Sequence, residues 1–298
     1  MRISTTLPAT PAGAPDLDRA AFLEELGYDS LGVPDLLLGD GTPGLDPVVV
    51  LAAAAGRTRR IGLEFGVLSL PLRPVALVAA QVQALQHVSG GRVVLGVGIG
   101  GFPHAPFWEA AGAAATGRGR RLDAALAALP GLLRGEATAV PGSGGRAITL
   151  APSAPVPPVL VGGNSEAAMR RAVRHGAGWA PSLVTPEELA EGTARLREIA
   201  DELGRPVPAV TVGGHAVLSD DPAAVEGFVR TLVEAHGMSE ERAARLPVTG
   251  GPEQVAERLA AYAEAGAQGV GLSLDGARWE HQAETLARAR ALVSTAAG

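Results

Sequence analysis

The chain contains no cysteine, and no lysine occurs anywhere in its 298 residues. The first absence excludes disulfides, thiolate nucleophiles and zinc–thiolate sites. The second excludes a Schiff-base amine and a P-loop lysine, because all 25 cationic side chains are arginines. Those arginines are scattered rather than striped, and the formal net charge is −6. A nucleic-acid partner needs clustered cations to displace counterions, so none is expected. Neither a His-x-His pattern nor a carboxylate cluster is present, which argues against a metal. No run reaches about 18 uninterrupted apolar residues, and MRISTTLPATPAG lacks the basic-then-apolar order of a signal peptide. A cytoplasmic protein without a membrane partner is the resulting expectation.

What is present is apolar and periodic. Hydrophobic residues make up 47% of the chain, enough for a large core. Short β-rich runs alternate with segments of helical period in eight βα pairs. The strands are read at Arg2 to Leu7, Ser30 to Val33, Ile61 to Leu70, Val93 to Val97, Pro158 to Val161, Trp179 to Pro181, Ala209 to Val217 and Gly269 to Leu274. Helices begin near Asp16, Asp46, Val75, Arg118, Ser165, Pro186, Pro252 and Trp279. Asp46-Pro47 and Thr185-Pro186-Glu187-Glu188 read as helix N-termini, and Gly27 and Gly176 as left-handed C-terminal caps. Eight repeats with no linker favour a single α/β domain over residues 1–298, a closed (β/α)8 TIM barrel. Its insertions are Ala105 to Gly117 with Ala137 to Ala154 in the fourth unit, and Ser219 to Thr249 in the seventh.

RVVLGVGIGGFPHAPFW, from Arg92 to Trp108, places Gly96, Gly98 and Gly101 in the dinucleotide-binding spacing G-x-G-x-x-G. In that motif the third glycine opens a helix. Here Pro103 and Pro106 follow, the next long helix waits until Arg118, and no acidic residue ends a second strand about 20 positions on. A pyrophosphate cradle is therefore disfavoured, and close approach of backbone to a flat ligand is the alternative to a plain strand-end turn.

The segments LEELGYDSLGVPD, VSGGRVVLGVGIGG, RGRRLDAAL, PPVLVGGNSEAAMRRAVRHGAGWAP and GGPEQVAERLAAYAEAGAQGVGLSL occur in this order along nearly the whole chain. Together they resemble the luciferase-like flavin-dependent oxidoreductases, a family that includes monooxygenases and deazaflavin (F420) dependent reductases. The resemblance implies a flavin or deazaflavin ring lying across the C-terminal strand ends and a phosphate held after the fifth strand. It assigns Gly162, Gly163, Asn164 and Ser165 to the phosphate. The sequence supplies a physical reason, because two glycines before a helix N-terminus leave amide and hydroxyl donors facing an anion. By the same resemblance Ser69, Leu70 and Pro71 buttress the ring, Gly98 and Gly100 line its edge, and Asp35 opens the loop after the second strand.

The chain also departs from the family pattern. Leu36 stands where members often carry histidine after the aspartate, Leu72-Arg73-Pro74 lacks the histidine of a common L-R-H-P segment, and Gly32 replaces an aromatic residue. His104 and His215 remain as candidate catalytic proton donors near strand ends, with Arg73, Trp108 and Arg278 as candidates to line the substrate pocket. The expected activity is an FMN-dependent oxidoreductase, a monooxygenase of a small organic molecule. A separate flavin reductase as partner and a homodimer are also expected. The alternatives are F420-dependent hydride transfer and a non-catalytic flavin-binding protein of the same fold.

Overall fold

A computed structural model describes residues 1–10, 12–218 and 222–296. Its strands are β1 (Arg2–Thr6), β2 (Ser30–Val33), β3 (Gly62–Ser69), β4 (Val93–Gly98), β5 (Thr138–Ala139), β6 (Ala147–Ile148), β7 (Val159–Gly162), β8 (Gly178–Ala180), β9 (Thr211–Val217), β10 (Val248–Thr249) and β11 (Gly269–Leu274). The helices are α1 (Leu17–Glu25), α2 (Pro47–Arg57), α3 (Val75–Ser89), α4 (Phe107–Ala110), α5 (Arg118–Leu133) and α6 (Glu166–His175). They continue as α7 (Pro186–Leu203), α8 (Pro222–His236), α9 (Glu240–Ala244), α10 (Pro252–Glu264) and α11 (Trp279–Ala296), and a 3₁₀ turn covers Leu70–Leu72. Each strand read from the sequence is found, and each helix start lies close to its expected position.

The main sheet has nine parallel strands in the order β10-β9-β11-β1-β2-β3-β4-β7-β8. It differs from the expected closed eight-strand ladder in two ways. β8 meets β9 only at the isolated bridges Trp179↔Val210 and Ser182↔Gly213. β10 then occupies the same edge of β9 further along, at Val248↔Ala216 and Thr249↔Val217. The reason is length: β8 has only 3 residues, too few for a continuous ladder along a 7-residue β9. β10 comes from the insertion in the seventh unit, whose residues 219–221 lie outside the described residues and whose remainder forms α8 and α9. The insertions in the fourth unit form α4 and a β5–β6 hairpin apart from the main sheet.

Local chemistry fixes the helix ends. The Asp46 carboxylate accepts the N–H groups of Val48 and Val49 at 2.9 and 3.3 Å, ahead of Pro47 at N1. Thr185 and Glu188 form a reciprocal capping box. VSGGR, the block most specific to the resemblance, is explained by the fold. Gly90 and Gly91 turn with φ of 70° and 85°, and Arg92 then donates to the carbonyls of Ser89, Ile61 and Ala55. One guanidinium thereby satisfies backbone acceptors at the end of α3, before β3 and in α2. The apolar faces of strands and helices merge in a continuous core that includes Leu31, Leu63, Leu95, Val161 and Leu272.

Candidate functional site at the C-terminal strand ends

Strand alternation shows which residues face inward. Ser4, Ser30, Glu64, Val94, Leu160, Gly178, Thr211 and Gly269 line one cavity at the N-terminal end of the sheet. Side chains repeat every second residue, so positions two or four further on face the same interior at the C-terminal mouth. Those positions are Thr6, Gly32, Gly96, Gly98, Gly162, Ala180, Gly213, His215, Gly271 and Ser273. Most carry no side chain, which leaves a low floor at the mouth.

Val67 fills part of the space those glycines leave. The ladder between β3 and β4 shifts register between Phe65 and Leu68, where the Gly66-Val67 peptide is cis. A Cβ at Gly98 would lie 3.1 Å from Val67 Cγ2, and one at Gly162 would lie 3.1 and 3.3 Å from the two Val67 methyls. At Gly96 it would strike the Phe65 carbonyl oxygen. Val67 was not singled out by sequence reasoning, which placed the buttress at Ser69 to Pro71. Leu70 packs into the core with 0% exposure and so presents no surface to the mouth.

Asp35 and Arg73 are brought together, with each other as partners. Arg73 donates to both Asp35 carboxylate oxygens at 2.6 and 3.0 Å, and the Ser69 N–H donates to the same carboxylate at 2.9 Å. The Asp35 side chain is fully buried and that of Arg73 is 11% exposed. Burial alone would push the Arg73 guanidinium down; its bonds to Asp35, with the nearby Asp46, outweigh that and hold it above its ordinary value. This buried pair fixes the loops after β2 and β3, and it leaves neither charge free for a ligand.

At the N-terminus of α6 the described donors are partly committed. The Gly163 N–H donates to the Ala180 carbonyl, and the Gly163 carbonyl accepts the Trp179 indole N–H at 2.8 Å. The Asn164 amide is engaged on both sides by the backbone of Ser182, at 2.8 and 2.9 Å. Ser165 is the N-cap: its oxygen accepts the Ala168 N–H, so its exposed hydroxyl proton stays available. The N–H groups of Glu166 and Ala167, the first two of α6, precede any intrahelical acceptor. Glu166, at the same end, is drawn away by Arg170 at 2.7 Å and Arg195 at 3.2 Å, and the hydrogen bonds from these arginines hold its carboxyl below the usual range.

The histidines separate. His104 is exposed on the loop before α4. Trp108, buried in α4, donates to the Phe102 carbonyl of that loop at 2.9 Å and leaves no room for a Cβ at Gly100, whose φ is 86°. Both Trp108 and Gly100 therefore serve loop packing, where the sequence suggested pocket and ring contacts. His215, on β9, sits with Nδ1 2.7 Å from Asp275 Oδ2 just past β11, each side chain 31% exposed. The Phe228 ring of α8 lies 5.0 Å from the imidazole. Thr6 and Ser273 share a hydroxyl hydrogen bond of 2.8 Å on the same inner face. Asp275 was missed by sequence reasoning. The available signal was an acidic residue immediately after a strand whose neighbour in the sheet carries histidine near its C-terminal end. Arg278 is exposed with φ of 56°, and its carbonyl accepts the Gln282 N–H at the start of α11. Among the described residues, no group of three or more His, Cys, Asp or Glu could hold a metal. No described helix is long and apolar enough to cross a membrane.

A family model described as "Luciferase-like monooxygenase" matches residues 2–269. The chain belongs to the luciferase-like monooxygenase family. An uncharacterised protein of Mycobacterium tuberculosis H37Rv is 33% identical, over 78% of this chain and 86% of that one. Among solved structures, an F420-dependent secondary alcohol dehydrogenase in complex with an F420-acetone adduct superposes with a TM-score of 0.81 at 16% identity, covering 98% of each chain. The FMN-complexed oxygenating component of 3,6-diketocamphane monooxygenase from Pseudomonas putida gives 0.71 at 16%, covering 97% of this chain and 96% of that one. These two structures share the luciferase-like fold, one with each cofactor type. Family and relatives support an oxidoreductase.

Proposed function

We propose that this luciferase-like protein is an FMN-dependent monooxygenase that oxidises a small organic molecule at the C-terminal mouth. The observation that carries the reading is the glycine floor around Val67, on the same inner face of the sheet as His215. A planar ring needs a surface without protruding side chains, and Gly32, Gly98 and Gly162 provide one while Val67 supports it. The Ser165 hydroxyl and the first-turn amides of α6 suit a terminal phosphate, at the positive end of the helix dipole. In this reading Gly98 and Ser165 take the roles the resemblance implies, Gly162 belongs to the ring floor rather than the phosphate site, and Gly163 and Asn164 shape the loop rather than donate through their committed groups. Bound reduced FMN supplies the two electrons that let molecular oxygen deliver one atom to substrate and release the other as water. A separate flavin reductase would provide those electrons.

The protein's own part is orientation, exclusion of water and proton handling. Asp275 holds His215 by Nδ1, which fixes the ring and leaves Nε2 as the nitrogen that can give or take a proton. Phe228 packs against one side of the imidazole, tilted at 43° with ring centroids 5.0 Å apart. Space at Gly32, where a Cβ would meet only backbone oxygens at 3.8 and 4.0 Å, gives the substrate room that an aromatic residue would take. Arg278 stands at the rim as a contact for a polar substrate group. The test is reconstitution of purified protein with FMN and, separately, with F420, read by the visible spectrum of each cofactor. FMN binding with oxygen-dependent turnover supports the proposal. F420 binding alone would convert it to a hydride-transfer enzyme, and binding of neither would end it.

Ser165→Asp is expected to weaken FMN binding about tenfold or more, through repulsion of the phosphate. Aspartate caps a helix as well as serine does, so thermal stability should stay within about 0.5 kcal/mol of wild type. Unchanged FMN affinity in that variant would place the phosphate elsewhere.

We further propose a homodimer that joins the outer faces of α2 and α3. Val49 on α2 and Leu77 and Val88 on α3 are 68%, 52% and 63% exposed, apolar side chains that a partner subunit would cover. Val49→Arg combined with Leu77→Arg should yield a monomer by analytical ultracentrifugation; an unchanged sedimentation coefficient would reject this face.

A further inference from the structure

The N-terminal end of the sheet holds a cavity of about 430 Å³, open to solvent beside the exposed residues Pro158, Gly176 and Ala209. This is the end opposite the proposed cofactor site, and its volume falls within the range of small-molecule pockets. Its lining carries three charged side chains, Arg2, Asp29 and Glu64, of which Asp29 already accepts the Ile3 N–H and the Arg290 guanidinium. Glu64, in register with Gly32 and Val94, points inward, and its only hydrogen bond among the described residues is the Ser30 hydroxyl, which donates to Oε2 at 2.7 Å. Burial pushes its carboxyl above the ordinary range despite Ser30 and the nearby Arg2. Arg2 lines the same cavity without an ion-pair partner among the described residues. The Ser4 hydroxyl, in a residue 7% exposed, also lines it without a hydrogen bond among the described residues, and Thr211 adds a further hydroxyl.

A buried carboxylate whose one side-chain partner is a serine is costly for stability, while Arg2, exposed at the cavity's edge, keeps its guanidinium in water. A lone cation would satisfy Glu64 while being repelled by Arg2, and a lone anion would suffer the reverse. We propose that this chamber is a second binding site, for a small zwitterion carrying an ammonium and a carboxylate. The ammonium would lie at Glu64 and Ser30, the carboxylate at Arg2, and the hydroxyls of Ser4 and Thr211 would solvate the ligand between them.

Isothermal titration of the full-length protein with glycine and β-alanine, and separately with methylammonium and acetate, tests this site. At least one zwitterion should bind saturably in the millimolar range, about tenfold tighter than methylammonium or acetate. Glu64→Gln and Arg2→Gln should each weaken it about tenfold, with melting curves confirming that both variants fold. Thr211→Val, with a smaller loss expected, serves if either charge variant fails to fold. Three outcomes would overturn the site: no saturable binding of either zwitterion, equal affinity for methylammonium, or binding unchanged in all three variants. The comparison of zwitterions with single-charge probes needs only the wild-type protein.

Discussion

Gly96→Ala is expected to destabilise the protein by about 3 kcal/mol or to prevent folding. The added methyl would strike the Phe65 carbonyl oxygen and come within 2.9 Å of Val67 Cγ1. Both neighbours belong to the register shift in β3, where backbone cannot move without breaking the ladder to β4. A carbonyl oxygen is also a rigid obstacle, unlike the far end of a flexible side chain. The measurement is the melting temperature, which for a domain of this size falls by about 2 to 4 °C per kcal/mol. Gly227→Ala is the control. Its methyl would meet nothing within 4 Å, in the interior of α8, so it should stabilise by about 0.5 to 1 kcal/mol. Equal stability of the two variants would show that β3 does not press on β4 as described.

The second large effect is on chemistry. His215→Gln is expected to lower kcat about 100-fold or more, because general acid–base groups contribute on that scale. Asp275→Asn should lower it less. The amide still bonds Nδ1 but no longer enforces one tautomer, so a loss of about tenfold is expected. Both variants should retain FMN affinity, since neither residue lies at the N-terminus of α6. Turnover is followed as substrate-dependent oxygen consumption with reduced FMN supplied, alongside the visible spectrum of the bound cofactor. A folded, FMN-loaded His215→Gln enzyme with wild-type kcat would exclude the histidine from the reaction. Loss of FMN binding in that variant would instead assign His215 to cofactor contact.

Much of the fold is legible in the residues themselves. The strand runs, the Asp46-Pro47 and Thr185-Pro186 helix starts and the cap glycines are local signals, and each depends on a few neighbouring residues. VSGGR was readable as a family block, while its physical meaning, an arginine that joins three elements through their carbonyls, required the packed structure. Closure of the sheet was not readable either. The shortness of β8 is read at Trp179 to Pro181, but nothing there announces that β10 will take the rest of the β9 edge.

Pairings between distant residues separate the two levels most clearly at the site. Composition alone removes cysteine, lysine and phosphate-tracking chemistry, and strand alternation with glycine content foretells an interior with few side chains. Those are properties of residue type and of a period of two, which act locally. Which charge meets which is decided only when the sheet forms. Folding ties Asp35 to Arg73 and thereby withdraws two candidates, supplies His215 with Asp275 from 60 positions away, and leaves Arg2 and Glu64 in one cavity without contact. Electrostatic and hydrogen-bonding roles depend on distances of a few ångströms, and sequence separation carries no such distance.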